Sequence, residues 1–292
     1  MLAELDEADA AGDIARIYAD VRRLCAVPYV SALYRHLATR PDVLPWAWAA
    51  VSPALENGTA QEAGWRVAAD LPIDPLPPIP RDALRVWGID ASAEQVVRNV
   101  CDGFVRVAPV NMVFAGLLKR FIAGEVPNGK SASATWQPPA DIPAPPPLVD
   151  PAKLDAAQRG VLMQFATTSG GKPFVPGLYR MLAHWPGLLA HLSVVIAPRL
   201  ASAATGAAFD LVRARIDTAV PEVFAQMPAP GPLPPAPSAD EKANILTALE
   251  TYRKTSPEMI TFGRLIRDAL PPPTSSSSRE RAAGTSKRGD PA

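Results

Sequence analysis

Cysteine is nearly absent from these 292 residues: Cys25 and Cys101 are the two, far apart, in no Cys-x-x-Cys or Cys-x-x-His pair. That excludes a disulfide scaffold and a cysteine-based zinc site. Histidine is scarce as well. His184 and His191 stand two helical turns apart, but Gly187 interrupts the face and no third ligand is evident, so no metal or other cofactor is expected. Excess charge is missing, with 29 basic and 29 acidic residues and a formal net charge of +0. No global field draws the chain to nucleic acid or to an anionic membrane, and any anion site must be local. No run of about 18 uncharged apolar residues occurs, so no membrane span is expected. The opening Met1-Leu2-Ala3-Glu4-Leu5-Asp6-Glu7 lacks the basic start and apolar run of a secretory signal, and the expected compartment is the cytoplasm. No Gly-x-Ser-x-Gly elbow, phosphate-binding loop or dinucleotide fingerprint appears. Ser169-Gly170-Gly171-Lys172 lacks the phosphate-loop spacing and reads as a helix stop.

Proline, by contrast, is plentiful, with 34 residues set between periodic apolar segments as helix punctuation. The 3.6-residue period predicts helices over residues 10–24, 30–38, 41–51, 60–71, 92–104 and 109–123, then 154–167, 175–183, 188–200, 207–219, 238–249 and 257–269. Ser92-Ala93-Glu94-Gln95 and Ser238-Ala239-Asp240-Glu241 read as capping boxes. No segment alternates with period two, so no sheet is expected.

The chain also repeats itself. Pro28-Tyr29-Val30-Ser31-Ala32-Leu33-Tyr34-Arg35 returns about 145 residues later as Pro173-Phe174-Val175-Pro176-Gly177-Leu178-Tyr179-Arg180. Pro75-Leu76-Pro77-Pro78-Ile79-Pro80 returns as Pro232-Leu233-Pro234-Pro235-Ala236-Pro237, and the segment from Pro109 to Phe114 as that from Pro257 to Phe262. Three echoes in one order predict an all-α chain of two homologous helical repeats paired about an intramolecular pseudo-two-fold axis. The expected boundaries are residues 1–127 for the first repeat, 128–153 for a Pro/Ala-rich linker outside the core, 154–271 for the second repeat and 272–292 for a disordered tail. Each repeat carries a Pro-aromatic-Val turn leading into a helix. Paired helix starts facing across the axis would suit a small carboxylate, with Tyr29 and Phe174 as walls; the other reading of these two aromatics is that each staples its helix to the core.

The segments Val27-Pro28-Tyr29-Val30, Tyr34-Arg35-His36-Leu37-Ala38-Thr39-Arg40-Pro41-Asp42-Val43-Leu44 and Trp46-Ala47-Trp48, with the connector at 75–80 and Ala108-Pro109-Val110-Asn111, resemble the group I 2-haloacid dehalogenase family. The resemblance covers roughly residues 10 to 270. It implies an all-helical pseudo-dimer with its site in the channel between repeats. Its enzymes hydrolyse 2-haloalkanoic acids without metal: an aspartate of the second repeat activates a water that displaces halide, an asparagine of the first repeat assists, and aromatics line the pocket. The resemblance points to Tyr29, Ala32, Asn111, Phe174, Gly177 and Leu178 as substrate-binding positions. It also places the aspartate where Pro173-Phe174-Val175-Pro176-Gly177-Leu178 offers no carboxylate, so no catalytic residue is assigned; Asp42 and Asp210 are the substitutes to examine. Two functions follow: hydrolytic dehalogenation, or a non-catalytic or differently catalytic protein that binds a small acid in the channel. A redox or decarboxylase protein of the alkylhydroperoxidase type would need a Cys-x-x-Cys or a Cys-His pair, which the chain lacks. The expected partner is a small carboxylic acid, with a homodimer as an open alternative.

Overall fold

The computed structural model describes residues 3–129, 136–169 and 172–273. Eleven α-helices form among these residues: α1 Gly12–Cys25, α2 Ala32–Leu37, α3 Val43–Glu56, α4 Thr59–Ala68, α5 Arg81–Val86, α6 Ala91–Ile122, α7 Ala156–Leu162, α8 Gly177–Leu182, α9 Pro186–Leu200, α10 Ala203–Gln226 and α11 Ala239–Ala269. The chain is thus all-α, with one exception. Strands β1 Thr167–Ser169 and β2 Lys172–Phe174 pair antiparallel, so Ser169 and Lys172 of the segment read as a helix stop lie on paired strands, and its Gly170 and Gly171 lie outside the described residues. The expectation of no sheet fails there because three-residue strands are too short to show a period.

Helix boundaries moved where proline was read as a terminator. Pro109 lies inside α6 and Pro257 inside α11, so segments read as separate helices are continuous, and α10 runs through Pro221 past its expected end at 219. A proline removes one N–H and disfavours the turn before it, but α6 and α11 pack along each other at the centre of the core and that burial outweighs the local loss. The Ser238 box forms as expected, its side chain accepting from the Glu241 backbone and the Glu241 carboxylate accepting from the Ser238 backbone. The Ser92 box does not form: α6 starts one residue after Asp90, whose carboxylate accepts from the Ala93 N–H. Of the predicted 154–167 helix only α7 and a 3-10 turn at Met163–Phe165 appear.

The helix α6 is long and apolar enough to cross a membrane by length and composition, yet 72% of its apolar window is buried among the other helices. Charged α6 residues interrupt the run in sequence, while its buried face is continuous in space. Gly64 of α4 sets the distance to α6. A Cβ there would lie 3.0 Å from the Pro109 carbonyl carbon, which is backbone and cannot swing aside. Gly64→Ala should therefore lower the unfolding free energy by about 1–3 kcal/mol, read from urea denaturation; an unchanged midpoint would show that the helices slide freely.

The segment read as a linker outside the core is docked along its described part. Ile142 is buried, Trp136 donates from Nε1 to the Leu24 carbonyl, and its indole lies where a Cβ on Gly58 would sit. Gly58 has φ +83°, a left-handed geometry that glycine adopts without strain. Of the expected tail, residues 274–292 lie outside the described residues; just before them, Arg98 donates to the Pro271 carbonyl and Arg81 to that of Pro272.

Candidate functional site

Helix α6 presents Phe104, Val107, Ala108 and Asn111 on one stripe, and α11 presents Tyr252, Thr255, Ser256 and Met259 with the same spacing. Positions i, i+3, i+4 and i+7 share a helix face, so both stripes open on one space. The Pro28–Leu33 turn leading into α2 closes one side. Gly177, Arg180 and Met181 of α8 close another, and residues 144–148 also line it. The result is a cavity of about 750 Å³.

Five of the six positions picked from sequence line it: Tyr29, Ala32, Asn111, Phe174 and Gly177. Leu178 does not. Its side chain is 0% exposed and packs in the core on the other side of α8, because a residue one position along a helix points about 100° away from its neighbour. Phe174 ends β2 rather than opening a helix, so the second Pro-aromatic segment leaves a strand and enters α8 only at Gly177. Pairwise packing joins Tyr29 to Phe104, with ring centroids 6.1 Å apart.

The polar groups of the cavity divide into satisfied and unsatisfied ones. Arg35 is spent on the Glu4 carboxylate, with Asp6 at 3.8 Å. Arg180 is not: its Nε donates to the Val149 carbonyl at 2.9 Å, and it meets no carboxylate among the described residues. Asn111 is 8% exposed; its Nδ2 donates to the Ser31 Oγ at 2.9 Å, while its Oδ1 has no partner. The Tyr29 hydroxyl also has none, and burial holds its pKa well above the ordinary tyrosine value. Sequence reasoning missed Arg180, whose signal was its place in the repeated Tyr-Arg pair.

Carboxylates do reach the cavity, through Glu4 and Asp6 of the N-terminal segment. The candidates named from sequence do not: Asp42 sits at the start of α3 with φ 61°, and Asp210 is an exposed residue bridged to Arg213 at 2.6 Å. A thiol nucleophile is excluded by chemistry as well as by place. Cys25 and Cys101 are buried, and burial pushes both up to about 12, far from the thiolate that reacts. The histidines are occupied: His36 Nδ1 contacts the Ala3 carbonyl at 2.7 Å, His184 Nε2 the Pro147 carbonyl at 2.8 Å, and His191 packs on Trp87.

No family model matches the chain. It is 29% identical over 194 residues to a configuration-inverting 2-haloacid dehalogenase of Alcaligenes xylosoxydans xylosoxydans, a match spanning 64% of this chain and 65% of that protein. It is 25% identical over 102 residues to an (R)-2-haloacid dehalogenase of Pseudomonas putida, spanning 33% of this chain and 34% of that one. The chain therefore matches less than two thirds of the length of either relative. Among solved structures, a D-2-haloacid dehalogenase mutant in complex with D-2-CPA superposes with a TM-score of 0.72 at 18% identity, covering 92% of this chain and 96% of that one. A D-2-haloacid dehalogenase in complex with L-LA gives 0.73 at 18% identity, covering 92% and 97%. The chain has the fold of these D-2-haloacid dehalogenases.

Proposed function

We propose, from the fold it shares with D-2-haloacid dehalogenases, that this chain is a haloacid dehalogenase-like protein whose central cavity takes a 2-substituted alkanoic acid. The observation that carries the proposal is one cavity combining apolar walls, an amide at Asn111 and the guanidinium of Arg180. A guanidinium without a carboxylate partner binds a substrate carboxylate through charge-assisted hydrogen bonds. The relatives' names supply the reaction class, hydrolysis at the carbon bearing the halogen. Direct water attack needs a base within about 2.6–3.2 Å of the water. Helix α8 offers Gly177 and the buried Leu178 in that role, and neither is basic. The carboxylates that do line the cavity, Glu4 and Asp6, lie beside Arg35, so binding is the property to measure first.

The two-repeat architecture belongs to the same proposal. The α6 and α11 stripes correspond at a constant spacing of about 148 residues, with Phe104 matching Tyr252 and Asn111 matching Met259. The straps correspond as well: the Leu5 N–H donates to the Arg35 carbonyl and the Val149 N–H to the Arg180 carbonyl. On this reading residues 1–127 and 154–271 are the repeats, and the cavity is the channel between them.

Titrating the chain with 2-chloropropionate by calorimetry tests the site. Arg180→Gln should weaken binding by about 10–100-fold, the worth of a charged hydrogen bond. Equal affinity in the variant, with its fold intact by circular dichroism, would remove the cavity from the argument.

A further inference from the structure

Two straps of chain reach the cavity, and they differ by one charge. Glu4-Leu5-Asp6-Glu7-Ala8-Asp9 and Leu148-Val149-Asp150-Pro151-Ala152-Lys153 each run into a 3-10 turn, Glu7–Asp9 and Pro151–Lys153, with an aspartate just before it. The Leu5 N–H donates to the Arg35 carbonyl at 3.0 Å, and the Val149 N–H to the Arg180 carbonyl at 3.4 Å. The residue before each donor is Glu4 in one strap and Leu148 in the other, and both line the cavity. Glu4 sets its carboxylate on the Arg35 guanidinium. Leu148 brings none to Arg180, whose Nε donates to the neighbouring Val149 carbonyl at 2.9 Å. One cavity arginine is thus neutralised from within the chain, and the other meets no carboxylate among the described residues.

The charged side chains of the lining are Glu4, Asp6, Arg35 and Arg180, two of each sign. A monoacid is matched by Arg180. A diacid brings a second carboxylate to a cavity whose other guanidinium is already paired, where it faces like charge and lacks a cation. We infer that Glu4 is a specificity-determining residue. It occupies Arg35 as an intramolecular stand-in for a ligand carboxylate, leaves Arg180 as the end that takes an acid, and excludes diacids. This rests on the reading of the cavity as a carboxylate site. The side chain can be changed without releasing the strap, because main-chain atoms anchor it. The Ala3 carbonyl lies 2.7 Å from His36 Nδ1, and the Leu5 carbonyl accepts from the Tyr18 hydroxyl at 3.2 Å.

Calorimetry with 2-chloropropionate and with diacids of three lengths, succinate, glutarate and adipate, tests it. The unaltered chain should bind every diacid at least about 10-fold more weakly than 2-chloropropionate. In Glu4→Gln, checked for its fold by circular dichroism and thermal melting, at least one diacid should gain about 10–100-fold, the worth of a charged hydrogen bond. Adding Arg35→Gln should cancel that gain. Leu148→Glu is the mirror variant, at a position 38% exposed. It should weaken 2-chloropropionate by a similar factor, by setting a carboxylate beside Arg180. Combined with Glu4→Gln it should restore monoacid binding, now sensitive to Arg35→Gln and indifferent to Arg180→Gln. A diacid bound as tightly as 2-chloropropionate by the unaltered chain overturns the role of Glu4, and so does a folded Glu4→Gln in which no diacid gains. In either case, weakening of 2-chloropropionate by Arg180→Gln leaves the carboxylate site standing. If Glu4→Gln does not fold, Leu148→Glu decides alone, and undiminished 2-chloropropionate affinity in it overturns the inference. Indifference of 2-chloropropionate to Arg180→Gln in the otherwise unaltered chain overturns the carboxylate site and this inference with it.

Discussion

Gly177→Asp should raise chloride release from 2-chloropropionate by about 10²–10⁴-fold over the unaltered chain, the usual contribution of a positioned general base. Gly177 is the first residue of α8 and lines the cavity, whereas Leu178 is turned into the core. A Cβ on Gly177 would meet the Phe104 Cζ at 3.2 Å and the Leu148 Cδ2 at 3.5 Å, the outer atoms of two side chains that need shift only slightly. The glycine has no left-handed φ, so a side chain brings no backbone strain. The new carboxylate would share the cavity with Asn111 and Arg180 and could take the proton of a water aimed at the halogen-bearing carbon. Gly177→Asn adds the same bulk without basicity and is the control. Release rates followed by a chloride electrode, for both enantiomers, decide the matter. If the aspartate variant is no faster than the asparagine variant, the missing base is not what slows the chain. Placing the aspartate at Leu178 instead would bury a charge away from the cavity, and should cost stability without restoring a reaction.

Glu258→Gln should make the folded chain more stable at alkaline pH and leave it nearly unchanged in acid. Glu258 of α11 is 8% exposed, and one of its carboxylate oxygens has no hydrogen-bond partner. Burial pushes its pKa from the ordinary 4.5 up to about 7, with the neighbouring Tyr179 hydroxyl acting in the opposite direction. The Tyr179 hydroxyl is itself unpartnered and is held well above its ordinary pKa by burial. The folded state therefore binds this proton more tightly than the unfolded state does. The stability it confers is fully present below about pH 4.5 and is lost as pH rises through about 7. A shift of that size corresponds to about 3 kcal/mol above pH 7. Glutamine is neutral throughout and removes the dependence. Urea denaturation at pH 4 and pH 8 should show the variant gaining on the unaltered chain chiefly at the higher pH. An equal loss of stability at both would mean that Glu258 is a packing residue whose charge state is immaterial.

How much of this was legible in the residues depends on the range of the interaction. The helical class, the Ser238 capping box and the positions of α1 to α4 follow from apolar spacing and local capping, because those signals lie within about four residues of each other along the chain. Tyr29, Ala32, Phe174 and Gly177 were accessible through the two similar Pro-aromatic segments of the sequence, and all four line the cavity. Other features were decided by tertiary contact. Pro109 and Pro257 continue their helices because α6 and α11 bury each other, an energy no local proline rule contains. Leu178 faces the core and Gly177 the cavity because the register of a six-residue helix is set by what it packs against. The status of Asn111 Oδ1, Arg180 and Glu258 depends on which groups come within about 3 Å of them from elements far away in the chain. The sequence by itself determined the helical class and most of the apolar faces; only the packing of those faces decided where the long helices run and which polar groups were left unpaired, because pairing is a property of distance in space.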